Sequence, residues 1–467
     1  MLIRKNNIAK IVALLTLGLI PLCTRVLLGS VVMGFHEYEA IFFYASDFFV
    51  LLFVALIIHK IHKSGVHLSW WYLIFLVLAG VSVFFAPSMT LSLFSFIRVL
   101  ILGSFAWLLA GLIKENKIIT LCALVLVLSA TVQAGIGFAQ FAKQGSVGLA
   151  RFGEPVLLAY KGPSSTIRAE GGRFLRAYGT FPHPNVLAGF LSLGLISIGY
   201  LYILCEEKIK ERIGKQWARK TWTKEEVFAA GRKYFSSKFF VYRMTLAACF
   251  FVTSLGLAVT FSRSGWVMAG ISLAVLVALS LRHSFGSALR FFLLAAVCFV
   301  GVYLMLAPII SPRAELRATE PAVTERLAYG RIGLEVIKNN PLGVGVGNQV
   351  LYGVRSGLYK NLGMTSLWQW EPVHNLYLLI ASEAGWLGFL GFALFVLGIG
   401  WRLFKTKTRG SDFALALLIG VLVVGLFDHY LWTLQPGRLM LWVVVGIALS
   451  QVASRYEGDK TVSSLLS

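Results

Sequence analysis

The feature that most constrains this chain is a series of apolar segments long enough to cross a lipid bilayer. A membrane-spanning helix needs about 20 mostly apolar residues, and about twelve segments approach or reach that length. With 57% hydrophobic and 14% charged residues over 467 positions, the composition excludes an ordinary soluble domain. The sequence therefore predicts an all-α polytopic membrane protein with a single membrane domain, residues 1–467. The segments lie at 8–30, 38–58, 70–86, 91–113, 118–142, 184–204, 243–261, 264–281, 291–310, 374–400, 413–431 and 436–453.

Much of the positive charge lies in short loops between the apolar segments. The formal net charge is +22, but loops of this kind are explained by membrane orientation and anionic lipid. With the N-terminus inside, every loop that faces the cytoplasm is basic, and the most basic is the loop 205–242, which resembles an amphipathic helix lying on anionic lipid. We therefore expect membrane lipids among the partners, and no nucleic acid.

The same orientation places two longer basic loops, 143–183 and 311–373, on the outer side of the membrane. Positive charge is normally retained on the cytoplasmic side, so a basic outer loop needs a local anionic partner. A lipid diphosphate is the natural candidate, and we expect the loop 311–373 to be a partly helical catalytic loop before the tenth span. Its basic residues include Arg313, Arg317, Arg326, Arg331, Lys338, Arg355 and Lys360, and it leads into Glu371-Pro372-Val373-His374-Asn375.

Motifs that define several other classes of enzyme are missing from the sequence. The four aspartates, Asp47, Asp412, Asp428 and Asp459, form no Asp-x-Asp motif, and the eight histidines show no His-x-x-x-His spacing. There is no Gly-x-x-x-x-Gly-Lys-Ser/Thr loop for a nucleotide. The five cysteines are isolated, with no spacing for a metal or a disulfide framework. We therefore expect neither a metal nor another cofactor.

Arginine, histidine and asparagine at the outer ends of predicted spans are the remaining candidates. Arg176 begins a segment that ends in Pro182-His183-Pro184-Asn185, where two prolines make the entry to the sixth span rigid. Arg263 lies at the turn between the seventh and eighth spans. An arginine at membrane depth costs about 2.5–3.5 kcal/mol when central, so an anionic partner would stabilise it. The alternative to anion binding, for both Arg176 and Arg263, is that the side chain extends along the membrane surface to the lipid headgroups.

The segment 323–338 of the outer loop has the spacing of a short amphipathic helix. At about 100° per residue its apolar side chains fall on one broad side, and Pro341 would end the helix. Arg326 and Arg331 are about 140° apart around that helix, so one of them can easily face a pocket, but not both. The glycine-rich segment Gly343–Gly347 is either a backbone nest for phosphate or a simple turn.

His374 follows Pro372 at the start of the tenth span, near the positive end of a helix. That field favours the neutral imidazole, which is the form a general base requires, and it attracts an anionic leaving group. The alternative is an interfacial histidine without a chemical role. Asp428 and His429, at the outer end of the eleventh span, are expected to have a supporting role at most.

Four patches of residues, and the order in which they follow one another along the chain, resemble the O-antigen ligase family. This family also includes O-antigen polymerases and bacterial protein O-oligosaccharyltransferases. The first five spans resemble the family only in hydropathy. One departure is Gly330, where relatives often have an aromatic residue. The patches are Arg176 to Asn185 with Leu187-Ala188; Ser262-Arg263-Ser264-Gly265; Arg326 through Asn340-Pro341 to Gly345; and His374 to Tyr377 with Glu383-Ala384-Gly385.

This resemblance implies a glycosyltransferase that takes a glycan from undecaprenyl diphosphate, without a metal and with inversion at the anomeric carbon. It implies that Arg263 and Arg326 bind the diphosphate and that His374 is the base. A glycosyl diphosphate is already activated, so a base for the acceptor hydroxyl and fixed positive charge for the diphosphate suffice. We also expect substrate contacts from Arg176, Asn185, Arg331 and Asn375.

The sequence therefore predicts a ligase in the bacterial inner membrane, with its active site facing the periplasm or cell exterior. An O-antigen-type polymerase remains open, and so do lipid A core, polymer and protein acceptors. A lipid-linked glycan flippase is the alternative from another class. Its charges would line a cavity through the membrane, whereas here they gather at the outer ends, apart from Asp47 and Arg98. A non-catalytic scaffold is a third alternative.

Overall fold

The computed structural model describes residues 2–31, 36–58, 69–113, 116–158, 164–169, 172–217, 238–314 and 321–465, and most of them are helical. The helices up to residue 314 are α1 (Leu2–Gly18), α2 (Ala45–Ile57), α3 (Trp70–Ser82), α4 (Met89–Leu112), α5 (Asn116–Lys143), α6 (Pro184–Trp217), α7 (Lys238–Ala258), α8 (Arg263–Ser280) and α9 (Phe285–Ala314). The others are α10 (Pro321–Asn339), α11 (Gln349–Arg355), α12 (Leu358–Asn361), α13 (Leu376–Thr406), α14 (Arg409–Gly425), α15 (Tyr430–Thr433) and α16 (Gln435–Leu465).

Eight helices within the described ranges are long and apolar enough to cross a membrane, and three shorter apolar helices accompany them. The eight are α4 to α9, α13 and α16, and the shorter ones are contained in α1, α2 and α3 with the turn after it. The predicted class, a polytopic helical membrane protein, is therefore confirmed. Each predicted apolar segment overlaps a helix, but the number of about twelve spans remains a prediction.

The structure differs from the prediction at residues 25–30 and 40–44, which fall within the predicted spans 8–30 and 38–58. There β1 (Arg25–Ser30) and β2 (Ala40–Tyr44) form an antiparallel hairpin in which Arg25 lies opposite Tyr44. The β-branched and aromatic residues of this stretch favour strands. Pairing the two strands also satisfies backbone groups beyond the end of α1. A second hairpin, β3 (Thr166–Ala169) and β4 (Gly172–Leu175), lies in the first of the two predicted outer loops.

The helices α6 and α16 form the centre of the membrane domain, where most of their apolar stretches are buried. Around them α13 packs against α3, α4 packs against α16, and α14 packs against α8 and α16. Small residues allow close approach of the helices: a Cβ on Gly256 of α7 would lie 2.5 Å from Cβ of Ala134 of α5. This packing fixes the helix ends that carry the site.

The predicted loop 311–373 contains α10, α11 and α12, which pack together through Tyr329, Val336, Val350 and Tyr359. Residues 315–320, with Arg317, lie outside the described residues. So do residues 218–237 of the basic loop 205–242, on which an amphipathic helix was predicted; the remainder of that loop continues α6 and begins α7. The membrane side of both loops stays a prediction.

The glycine-rich segment Gly343–Gly347 is a turn attached to α13. The backbone amides of Val344 and Gly345 donate to the carbonyls of Ser382 and Glu383, each at 3.0 Å. Gly343, Gly345 and Gly347 all have positive φ, which only glycine adopts readily. The segment therefore serves as a structural turn. Two of the backbone amides that a phosphate-binding nest would use already donate to α13.

Candidate active site

The N-terminal parts of α6, α8, α10 and α13 converge with the segment that precedes α15. Pro184 begins α6, as proline commonly does at the first helical position. Arg263 begins α8, and the side chain of Ser262 caps that helix by accepting from the amide of Gly265 at 3.3 Å. These rigid entries bring residues from distant parts of the chain to one place.

The three candidate arginines, Arg176, Arg263 and Arg326, line a single cavity of about 270 Å³. We call it the arginine cavity. Arginine keeps its charge and can bind a phosphate through two parallel hydrogen bonds, so three of them suit a diphosphate. The wall also contains His183, Asn185, Phe261, Glu325, Tyr329, Glu371 and His374.

A second cavity, of about 670 Å³, lies beside the arginine cavity. We call it the second cavity. Four residues line both cavities and so form their common wall: His183, Asn185, Glu371 and His374. The rest of the second cavity is mixed in character. Its charged, histidine and tyrosine residues are Arg25, Glu37, Tyr38, Tyr44, Glu154, Asp428, His429 and Tyr430.

Arg176 is buried and strongly bound to the protein. Its guanidinium donates to the carbonyl of Thr260 at 2.6 Å, to Oγ of Ser165 at 2.9 Å and to Oδ1 of Asn185 at 2.8 Å. Asn185 in turn donates to Oδ2 of Asp428 at 2.7 Å. Both residues were predicted to bind substrate. Both line the arginine cavity, but these bonds also give them a clear role in holding its wall.

The two arginines of α10 have different surroundings. Arg326 lines the arginine cavity and is half-buried, whereas Arg331 is exposed and lies outside the lining of both cavities. This is the separation expected for residues five apart on a helix. The geometry therefore favours Arg326 over Arg331 for contact with a bound anion.

Asn375, predicted to bind substrate, caps α13. Its Oδ1 accepts from the amides of Tyr377 and Leu378, each at 3.0 Å, and its Nδ2 donates to the carbonyl of Leu426 at 3.1 Å. It lies outside the lining of both cavities. The structure thus gives Asn375 a structural role, because asparagine is among the best N-cap residues.

His374 lies in the wall between the two cavities and forms an ion pair with Glu371. Its Nε2 is 3.2 Å from Oε2 of Glu371, and its Nδ1 is 3.0 Å from the carbonyl oxygen of Pro372. The ring of Tyr329 stacks on His374, with the ring centres 5.2 Å apart and the planes inclined by 15°. A Cβ on Gly333 of α10 would lie 2.7 Å from Val373, so glycine allows α10 to approach this segment closely.

The charges around His374 favour its protonated form. Burial lowers the pKa of His374, but the hydrogen bond to Glu371 and the charge of Asp428 outweigh it, so the pKa is raised. Burial would raise the pKa of Glu371, but the bond to His374 lowers it. The neutral imidazole expected from the helix field is not favoured, because full carboxylate charges lie nearer and Asn375 already caps the helix.

Two further histidines lie close to His374: His183 belongs to the common wall, and His429 lines the second cavity. Burial, with Arg176 and other charges, lowers the pKa of His183 to about 3, and burial with His374 lowers that of His429 to about 4. Burial would raise the pKa of Asp428, but His429 and His374 lower it to about 2. The raised pKa of His374 therefore favours an imidazolium in the common wall, beside the carboxylate of Glu371, and the carboxylate of Asp428 lies in the adjoining second cavity.

Glu371, His374 and His429 also form the one candidate metal-binding group within the described residues. Each offers one ligand atom, and these atoms lie within 4.8 Å of one another. Carboxylate and imidazole groups are common zinc ligands. Sequence spacing predicted no such group, because the ligands come from two loops that only the fold brings together.

Sequence reasoning missed the part played by Glu371 and by Tyr329. Glu371 precedes His374 by three residues, and this spacing was a signal that could have suggested a pair. Tyr329 is buried against His374, while a Cβ on Gly330 would meet nothing within 4 Å. The aromatic side chain that packs on His374 is therefore Tyr329, which immediately precedes Gly330, the departure noted in the sequence.

The fold and the two cavities define a polytopic membrane protein with an arginine-lined site at the ends of its helices. Residues 248–393 match a family model described as O-Antigen ligase. The match confirms the predicted resemblance over this part of the chain, which is similar to the O-antigen ligase family. The match includes Arg263, Arg326, Glu371 and His374 and supports glycan transfer of the ligase or polymerase type at the level of the family. No curated protein matches the chain.

Proposed function

We propose that the protein transfers an oligosaccharide or polysaccharide from undecaprenyl diphosphate to an acceptor hydroxyl. The reaction is independent of metal ions, inverts the anomeric carbon and takes place at the outer leaflet of the bacterial inner membrane. In this proposal Arg263 and Arg326 bind the diphosphate, Arg176 and Asn185 hold the cavity wall, and the proton acceptor lies in the pair Glu371–His374. Arg331 contributes only long-range positive charge.

The observation that carries the proposal is the common wall between the two cavities. The arginine cavity suits the diphosphate of the donor, and the second cavity, with its carboxylates and tyrosines, suits a hydroxylated acceptor. A group transfer requires donor and acceptor within a few ångströms of each other and of a proton acceptor. The pair Glu371–His374 forms part of this wall, and both of its groups can exchange a proton with a hydroxyl group bound there.

The chemistry follows from these positions. The oxygen of the acceptor hydroxyl attacks the anomeric carbon as its proton leaves, and the bond between that carbon and the diphosphate oxygen breaks. The electron pair goes to the diphosphate, whose growing charge the arginines stabilise. Attack from the side opposite to the leaving group inverts the anomeric carbon.

A polymerase that uses a second lipid-linked repeat as acceptor would employ the same wall, and the second cavity does not distinguish the two. A flippase is less well supported. Asp47 and Arg98 are the two charged residues that the sequence sets apart from those at the ends of the predicted spans. They form an ion pair at 2.7 Å, and Gln435 donates to Asp47 at 2.6 Å. These groups satisfy one another and so favour a structural role over a path for an anion.

The test is transfer by the purified full-length protein in nanodiscs. The donor is a glycan linked to undecaprenyl diphosphate, and lipid A core, a second donor molecule and a serine-rich peptide are offered as acceptors without added metal. The proposal requires a covalent product with inverted linkage and release of undecaprenyl diphosphate. Movement of donor between leaflets without any product would instead favour the flippase.

A further inference from the structure

His374 has hydrogen-bond acceptors at both ring nitrogens. The carbonyl oxygen of Pro372, 3.0 Å from Nδ1, can only accept a hydrogen bond, and so can the ionised carboxylate of Glu371, 3.2 Å from Nε2. A neutral imidazole carries one N–H and would direct a lone pair at one of these oxygens. The geometry is therefore that of an imidazolium bound to a carboxylate.

A bound donor strengthens this arrangement. Among the charges near His374, Arg326 disfavours the imidazolium. A diphosphate in the arginine cavity would neutralise Arg326 and place negative charge beside the ring. Its arrival therefore makes it harder for His374 to lose its proton, at the moment when a base is required.

The carboxylate, by contrast, is accessible. The side chain of Glu371 is 40% exposed and that of His374 is 15% exposed, and Glu371 lines both cavities. The backbone on either side is held in place: Tyr329 Oη donates to the carbonyl of Gln369 at 2.9 Å, and Tyr359 Oη donates to the carbonyl of Glu371 at 2.6 Å. An acceptor hydroxyl in the second cavity can thus approach a fixed carboxylate.

We propose that Glu371 is the general base of the transfer reaction and that His374 acts as its imidazolium partner. This assignment rests on the function proposed above. The acceptor O–H bond breaks and its proton goes to a carboxylate oxygen of Glu371, while the leaving diphosphate takes the electron pair of the broken glycosyl bond. His374 keeps its proton and adds to the positive charge that faces the diphosphate. The proton on Glu371 then passes to solvent through the second cavity.

The groups that face this pair come from several elements, and all bear on its titration. They are Glu325, Arg326 and Tyr329 on α10, Tyr359 on α12, His183 before α6, Asp428 and His429 before α15, and Glu37 and Tyr38 between β1 and β2. A carboxylate base is chemically reasonable, because inverting glycosidases use one to activate a water molecule for attack at an anomeric carbon.

The first test is the dependence of the transfer rate on pH. If Glu371 is the base, the rate should change by less than about twofold between pH 5.5 and 6.5, because a carboxyl group with the usual pKa of about 4.3 is already ionised there. If His374 is the base, the rate should fall about tenfold for each pH unit below the pKa of the imidazole. Such a fall would overturn the proposal.

The second test compares variants. Glu371→Gln should lose about 10²–10⁴-fold in rate, the magnitude typical of a general base, and Glu371→Asp should recover part of it. His374→Lys, which keeps a positive charge but supplies no base at neutral pH, should lose less than His374→Gln. The matched control is Glu335→Gln, because Glu335 lies on α10, bonds to Asn339 and lines neither cavity. Equal loss in the lysine and glutamine variants of His374 would contradict the assignment.

The third test needs no turnover, so it separates this assignment from the proposed function. Protein labelled with ¹⁵N-histidine is reconstituted in nanodiscs, and the resonance of His374 is identified by its absence in His374→Gln. The proposal requires both ring nitrogens of His374 to be protonated at pH 7, and Glu371→Gln should lower the pKa of the ring. A neutral ring at pH 7 would overturn it whether or not transfer is observed.

Discussion

Asn185 donates a 2.7 Å hydrogen bond to the carboxylate of Asp428, and this contact joins the start of α6 to the segment before α15. The two residues are far apart in the chain, and both are buried. Because Asn185 also accepts from Arg176, a single amide links a cation, an anion and the wall of both cavities. The stability of this corner should therefore depend on Asn185.

We expect Asn185→Leu to lower the free energy of unfolding by about 2–3 kcal/mol, because it leaves Asp428 without one of its donors in a buried place. Thermal unfolding in detergent measures the effect as a lowered Tm. The control is Asn339→Leu at an exposed position whose side chain bonds to Glu335, where the change should stay within about 0.5 kcal/mol. Equal Tm values for the two variants would show that the contact contributes little.

Arg326→Lys and Arg326→Ala should both lose most transfer activity, because lysine cannot copy the two parallel hydrogen bonds that arginine makes to phosphate. Arg331→Ala should be milder, since Arg331 is exposed and lines neither cavity. Transfer rates and donor binding by the purified variants provide the comparison. Severe loss at both positions would mean that the diphosphate reaches beyond the arginine cavity.

His374→Ala should retain normal levels in the membrane and measurable donor binding through the arginines, but lose transfer. Removing the imidazolium withdraws positive charge from the leaving group and leaves Glu371 without its partner. Immunoblotting of membranes, donor binding and transfer rates test the three parts separately. Retention of more than about a tenth of the activity would show that His374 is dispensable for the chemistry.

Treatment with a chelator should leave transfer within about twofold of the untreated rate, because the proposed chemistry uses arginine and no metal. The measurement is informative because Glu371, His374 and His429 have ligand atoms close enough for a metal to draw together. Loss of activity that Zn²⁺ restores would identify this group as a metal site and would refute the metal-independent reaction.

The predicted orientation can be tested with engineered cysteines in a background without the five natural ones. Lys208→Cys, in the basic loop 205–242, should be protected from a membrane-impermeant maleimide in intact spheroplasts, and Lys360→Cys, in the loop 311–373, should react. Both positions are exposed, so neither is shielded by the fold. Labelling of the first but not the second would reverse the side of the proposed active site.

The sequence was sufficient to predict the class of fold, since long apolar segments leave helices as the main structure a bilayer accepts. It also predicted the helix over 323–338, within α10. The hairpin β1–β2 was mistaken for parts of two spans, because short runs of apolar residues do not distinguish a strand from a helix. The raised pKa of His374 depends on Glu371, which lies three residues earlier in the chain, and on Asp428. Spacing along the chain could have suggested Glu371, but only tertiary packing brings Asp428 close to the ring.

The hairpin β1–β2 contributes to the second cavity from a part of the chain outside the family match. Arg25 and Tyr44 of the hairpin, with Glu37 and Tyr38 between its strands, line the second cavity, and all lie outside the region that matches the family model. The residues proposed to act on the diphosphate, Arg263 and Arg326, lie inside it. If the second cavity receives the acceptor, the arginines proposed for the donor and much of the proposed acceptor site come from different parts of the sequence. Substitutions in residues 25–44 could then alter acceptor binding and leave Arg263 and Arg326 unchanged.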